Sequence, residues 1–211
     1  MLILLILLIL ASAVLDIAAD YRGQRRLVYV LKPLTTLLIL VLAAQAPPST
    51  PPIYQAWIVT GLAFSLAGDV FLMLPSNRFV AGLVSFLVAH LCYIAAFTAG
   101  GGFRFTPWLL LPCVVYAAVL LRILLPHSGR MKPPIAVYGI VIATMAWQAL
   151  ERWADLQTSG ASLALAGAVL FVLSDSALAV NRFARPFRSA QAVVLSTYWA
   201  GQLLIALSVS S

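Results

Sequence analysis

The sequence predicts an all-α fold: a polytopic membrane bundle of eight transmembrane helices, built from two parallel four-helix repeats within one membrane domain spanning residues 1–211. Three observations predict it: composition, the spacing of apolar runs, and an internal repeat. Of the 211 residues 63% are hydrophobic and 9% charged, whereas about a quarter of a soluble domain is charged. Mean hydropathy is +1.04. No stretch is polar or long enough for a second, soluble domain, so an enzyme on a single membrane anchor is excluded. So are disorder and a disulfide scaffold, because Cys92 and Cys113 each sit alone in an apolar run and read as small hydrophobes. The formal charge of +7 comes from 13 basic residues scattered over short loops. Such a pattern forms no nucleic-acid groove and fits basic loops on one side of a membrane.

A bilayer-spanning helix takes about 20 mostly apolar residues. Runs of that kind lie at about 1–19, 27–46, 53–74, 79–99, 106–125, 134–150, 161–180 and 190–209. The first, Met1-Leu2-Ile3-Leu4 onward, has the apolar character of a secretory signal, and Ala11-Ser12-Ala13 has the form of a cleavage site. No basic segment precedes it, so a retained first helix is expected. Asp20 to Arg26 separates runs one and two, and the Pro-rich stretch Ala46 to Pro52 separates two and three. Gly100-Gly101-Gly102, then His127 to Arg130, then Asp155 to Gly160 mark later breaks, and Arg182, Arg185, Pro186 and Arg188 mark the last. Connections this short make successive helices antiparallel neighbours.

The odd connections hold Arg22, Arg25, Arg26, Lys32, Arg78, Arg130, Lys132, Arg182, Arg185 and Arg188, with Arg122 close by. The even ones hold Arg104 and Arg152. By the positive-inside rule the odd connections are cytoplasmic and both termini are not. A bacterial inner membrane is the expected location.

The third run ends Gly61-Leu62-Ala63-Phe64-Ser65-Leu66-Ala67-Gly68-Asp69, with Leu72 and Asn77-Arg78-Phe79 beyond it. The seventh ends Gly167 through Phe171, Ser174 and Asp175, with Leu178 and Asn181-Arg182-Phe183 beyond. Lys32-Pro33 opens the second run and Lys132-Pro133 the sixth. The joint order predicts a four-helix unit used twice, over about 1–99 and 106–211. Four helices are an even number, so the repeats share one orientation in the membrane.

An ionisable residue inside a span costs about 2.5–3.5 kcal/mol on insertion scales, which singles out Asp69 and Asp175. If the halves pack about a pseudo-two-fold axis, the two carboxyls face each other across a central cavity and share a proton, one serving as acid and the other as base. The alternative is that each pairs with a basic neighbour such as Lys32 or Lys132. Those lysines either meet a phosphate head group or simply snorkel, with the following proline in the first helical turn. His90 shares a helix face with Gly82, Phe86, Tyr93 and Phe97 and serves as proton donor, substrate partner or structural histidine. No HxxxH or HExxH pattern completes a metal set, and no metal or other cofactor is expected. Gln191, Tyr198 and Gln202 line one face of the last run. Asn77 and Asn181 read first as helix terminators. The tryptophans mostly fit interface positions, and Glu151 and Asp155 read as solvated loop charges.

At these residues the sequence resembles the YhhN family of membrane proteins, whose characterised members are lysoplasmalogenases. The resemblance rests on Lys32-Pro33-Leu34, Gly61 to Asp69 with Leu72 and Met73, and Gly82-Leu83 through Ser85-Phe86, His90 and Tyr93. It continues through Phe171 to Asp175, Asn181-Arg182-Phe183, and Tyr198 with Gln202. It implies hydrolysis of the vinyl-ether bond of a lysoplasmalogen, releasing a fatty aldehyde and glycerophosphoethanolamine or glycerophosphocholine. On that reading Asp69, Asp175 and His90 are the expected catalytic residues. Lys32, Tyr93, Asn77, Asn181, Tyr198 and Gln202 are the expected substrate contacts. The expected partners are a lysophospholipid substrate and membrane lipid, with no nucleic acid. A proton-coupled transporter of a small solute, using the same acid pair, is the alternative.

Overall fold

A computed structural model describes residues 2–47, 50–74 and 78–211. These described residues contain eight long helices: α1 (Leu2–Tyr21), α2 (Arg25–Gln45), α3 (Pro52–Met73), α4 (Phe79–Thr98), α5 (Pro107–Leu124), α6 (Lys132–Leu156), α7 (Ser159–Ala179) and α8 (Ala190–Leu207). All eight are long and apolar enough to cross a membrane. Two short 3-10 turns link α5 to α6, and a π-helical turn, Val180–Ala184, extends α7. Because each connection is short, the odd ones gather at one end: Tyr21 there donates to the Arg188 carbonyl at 3.4 Å. The even ones gather at the other, where Thr50 donates to the Val209 carbonyl at 3.5 Å.

Two helix pairs pack most closely, α3 with α4 and α7 with α8. Small residues make this possible, since nothing hydrophobic drives one apolar helix onto another in lipid and close van der Waals approach must do it. At Gly68 an added Cβ would lie 2.7 Å from the Phe86 ring. At Gly167 it would lie 2.7 Å from the Gly201 carbonyl oxygen. Outside these pairs, α2 packs on α8 and α6 on α4. The centre is an aromatic layer: Phe171 stands edge-on to Tyr198 at 5.4 Å and to His90 at 4.6 Å, and Phe86 to Tyr198 at 5.8 Å. At the periphery, α5 buries only Leu124.

Three differences from the sequence reading have local causes. Helix α2 begins at Arg25, so Pro33 lies inside it, whereas Pro133 occupies the first turn of α6. Lys32 is therefore carried into the protein and buried, while Lys132 stays exposed. Helix α6 runs on to Leu156, beyond the expected end near 150, because Glu151 is no solvated loop charge. It is 3% exposed and accepts hydrogen bonds from Thr106 N at 2.6 Å, Thr106 Oγ1 at 2.7 Å and Trp147 Nε1 at 2.9 Å. Asp155 is exposed and pairs with Arg104 at 2.6 Å. Trp147 and Trp199 are buried rather than interfacial.

Candidate active site

Each of the two aspartates has its own set of partners, and among the described residues no hydrogen bond joins them. Asp69, on α3, is buried and fully engaged. Its Oδ2 accepts from Thr36 Oγ1 at 2.6 Å and Tyr198 Oη at 2.7 Å, and its Oδ1 lies 3.6 Å from Lys32 Nζ. Thr36 follows Lys32 by one turn of α2, so both reach the same carboxylate. The pairing of Asp69 with a basic neighbour, the alternative raised by the sequence, is what this site contains. Lys32 also acts electrostatically on a third acid, Asp16 of α1, which is buried with no hydrogen-bond partner among the described residues.

Asp175, on α7, has no lysine. Its Oδ2 lies 3.1 Å from His90 Nε2 and accepts a hydrogen bond from Tyr138 Oη, which is itself 3.1 Å from His90 Nε2. Two groups, from α4 and α6, thus converge on one carboxylate oxygen of α7. Oδ1 takes no hydrogen bond from the described residues, and the side chain keeps 14% of its surface exposed. Each aspartate is gripped across the molecule: Tyr198 of α8 reaches Asp69 of α3, and His90 of α4 reaches Asp175 of α7.

The surface that Asp175 keeps opens into a crevice of ≈ 650 Å³ among α3 to α7, walled by Leu72, Phe86, Leu120, Leu124, Ile135 and Ile142. Asp175, Tyr138 and Ser176 are its polar features. Towards the basic end a second crevice, ≈ 790 Å³, is lined by Lys32, Arg78, Arg182 and Gln191. The two share Leu72, Phe79 and Leu178 as a common wall. Arg182 stacks over the Phe79 ring at 3.8 Å, a cation–π contact that orients the guanidinium at this junction.

Other expected substrate contacts stand elsewhere. Tyr93 donates to Gln202 Oε1 at 2.7 Å and lies 3.4 Å from Ser65 Oγ. Tyr93 and Gln202 are fully buried behind the aromatic layer and line neither crevice. Tyr198 is spent on Asp69. Asn181 Oδ1 accepts from Phe187 N at 3.1 Å and shapes the turn into α8, while Asn77 lies outside the described residues. Sequence reasoning missed Tyr138, Thr36, Ser176 and Asp16. The insertion cost that flags Asp69 applies equally to Asp16, and Thr36 was signalled by its one-turn spacing from Lys32. Tyr138 carried no such signal.

Residues 27–209 match the model of the YhhN family. The chain is 34% identical over 198 residues to the membrane protein YhhN of Escherichia coli O6:H1, covering 94% of each chain. It is 37% identical over 156 residues to the human lysoplasmalogenase TMEM86B, covering 74% of this chain and 64% of that one. To the human lysoplasmalogenase TMEM86A it is 35% identical over 165 residues, covering 72% of this chain and 64% of the other. No solved structure matches. With eight helices long and apolar enough to cross a membrane, a family match over nearly its whole length and a YhhN relative 34% identical over 94% of both chains, the chain belongs to the YhhN family of integral membrane proteins.

Proposed function

We propose that this protein is a lysoplasmalogenase: it hydrolyses the vinyl ether of a lysoplasmalogen to a fatty aldehyde and a glycerophospho-alcohol, with Asp175 as the proton-transfer residue. One observation carries the reading. A basic crevice, a carboxyl with one free oxygen and an apolar crevice follow one another along a continuous wall of Leu72, Phe79 and Leu178. A lysoplasmalogen has the same order of parts: phosphate, ether oxygen, double bond, hydrocarbon chain. Relatives named lysoplasmalogenase, at 35–38% identity, support the same class of substrate.

The chemistry follows from what the residues offer. Vinyl ethers react at the β-carbon, so Asp175 gives its proton there and the π electrons form the new C–H bond. The α-carbon becomes an oxocarbenium ion next to the carboxylate just formed, which stabilises the developing positive charge in an apolar site. Water then adds to the α-carbon as Asp175 takes one of its protons back. The hemiacetal collapses when its hydroxyl proton passes to the ether oxygen and the C–O bond breaks, leaving aldehyde and alcohol. One water is consumed and Asp175 ends protonated, as it began. Tyr138 and His90 hold Oδ2, so that Oδ1 works towards the crevice. Lys32, Arg78 and Arg182 bind the phosphate, and Asp69 positions Lys32 to do so. This divides the two aspartates between chemistry and binding, in place of a shared acid–base pair.

The test is aldehyde capture from purified protein in detergent given a lysoplasmalogen and, in parallel, the ester-linked lysophospholipid of the same chain. Aldehyde from the first and no fatty acid from the second is the expected result. A folded, monodisperse protein that leaves the vinyl ether intact with either head group defeats the proposal.

A further inference from the structure

We propose that the groove between α5, α6 and α7 is the tail-binding channel of the enzyme, occupied by the distal part of the substrate's hydrocarbon chain, and that Gly139 is its gate. The inference rests on the lysoplasmalogenase reading and adds to it the residues that read chain length.

A third crevice, ≈ 970 Å³, lies beyond the one that holds Asp175 and is walled by Cys113, Tyr116, Ala143, Ala146, Leu165 and Val169, among others. The two adjoin, because Leu120, Leu121, Gly139 and Ile142 line both. Gly139 lines both crevices, so the channel begins where the crevice of Asp175 gives way to the far one. There the α6 wall is bare backbone. A Cβ would come within 3.2 Å only of the tip of the Leu121 side chain, so a larger residue at this point projects into the passage. Further along, Ala143 and Ala146 keep the same face of α6 low until Leu150. From Gly139 to Leu150 the helix rises about 16 Å, room for a long chain lying beside it.

Two further facts choose this occupant over bulk lipid alone. The groove adjoins the crevice that holds the free oxygen of Asp175, so a chain anchored there by its reacting end is directed towards it. Its outer wall, α5, is tied to α7 by a polar contact, Tyr116 Oη donating to Ser176 Oγ at 2.9 Å. Tyr116 lines the far crevice and Ser176 the near one, so the bond bridges the passage where the two meet. Elsewhere α5 is weakly buried, which leaves its wall free to yield to an entering chain.

The experiment measures kcat/KM for octenyl, dodecenyl and octadecenyl lysoplasmalogens with wild type, Gly139→Leu and Ala146→Phe. Ala146 lies two turns beyond Gly139, so the two variants close the channel at different depths. The expected result is at least a tenfold fall in the octadecenyl-to-octenyl ratio for Gly139→Leu. Ala146→Phe should lower that ratio while sparing the dodecenyl-to-octenyl ratio. Active variants whose losses are equal at every length would overturn the channel while leaving the hydrolase reading intact. Wild type inert at all three lengths would remove the hydrolase reading and the channel with it. Should Gly139→Leu fail to fold, judged by size-exclusion profile in detergent, Ala146→Phe alone decides between the same two outcomes.

Discussion

Lys32 and Lys132 show how much one residue's setting matters. Both precede a proline and both follow a basic loop, although Lys32 stands further into apolar sequence. One is buried against Asp69; the other is exposed at a helix start. The difference is where the helix begins, a boundary that apolar periodicity fixes poorly because Arg25 and Arg26 look like loop and fold as helix. The same limit hid Tyr138, a tyrosine in an apolar run whose role exists only because α6 crosses α4 and α7. Asp69 and Asp175, by contrast, are legible from cost alone. Their division of labour is not, since it depends on which one has a lysine within reach. If Tyr138 holds Asp175 in its working orientation, Tyr138→Phe should lower kcat by roughly tenfold, the loss of one hydrogen bond to a charged or reacting group, with KM little changed. Lys32→Met should instead raise KM for the phosphate-bearing substrate. It should have no such effect on an alkenylglycerol that lacks the phosphate.

Among the elements, the pairs α3–α4 and α7–α8 carry the bundle. Their Gly-rich faces were visible in the sequence, because Gly61, Gly68 and Gly167 fall at helical spacing ahead of each aspartate. What those faces meet was not visible: Tyr93 and Phe86 rings on one side, backbone on the other. This asymmetry predicts a difference in stability. Gly167→Ala places a methyl against the Gly201 carbonyl and the Ile205 amide, which cannot turn aside. It should destabilise the fold by about 1–3 kcal/mol, seen as a lowered Tm in detergent. The buried end of α6 behaves similarly, since Glu151→Ala strands Thr106 and Trp147 donors. About 1–3 kcal/mol per stranded donor should lower Tm with kcat preserved, because this cluster lies at the opposite end from Asp175.

For the molecule as a whole, the eight-helix count, the short connections and the clustering of basic residues on odd connections all came from composition and spacing. Helix neighbours that are distant in sequence did not. The contacts of the two halves mirror each other: α2 against α8 and α4 against α6, with Tyr198 and His90 each reaching the other half's aspartate. That crossing supports duplication of a four-helix unit, over about 1–99 and 106–211, and we propose that origin for the fold. It also accounts for two aspartates at matching positions with different duties, as one copy kept a basic partner and the other opened to lipid. We further propose that the end bearing Lys32, Arg78 and Arg182 faces the cytoplasm, so that head groups are drawn from the inner leaflet. A C-terminal alkaline phosphatase fusion should then be active and a C-terminal green fluorescent protein fusion dark; the reverse pattern would turn the molecule over.

The division of the two aspartates is the centre of the account, and steady-state kinetics of Asp175→Asn beside Asp69→Asn on one lysoplasmalogen tests it most directly. Asp175→Asn should lose about a hundredfold or more in kcat, the usual contribution of a positioned acid–base group, with KM nearly unchanged. Asp69→Asn should act mainly on KM, through a displaced Lys32. A folded Asp69→Asn enzyme that has lost kcat to that extent, beside an Asp175→Asn enzyme that still turns over, would contradict the account.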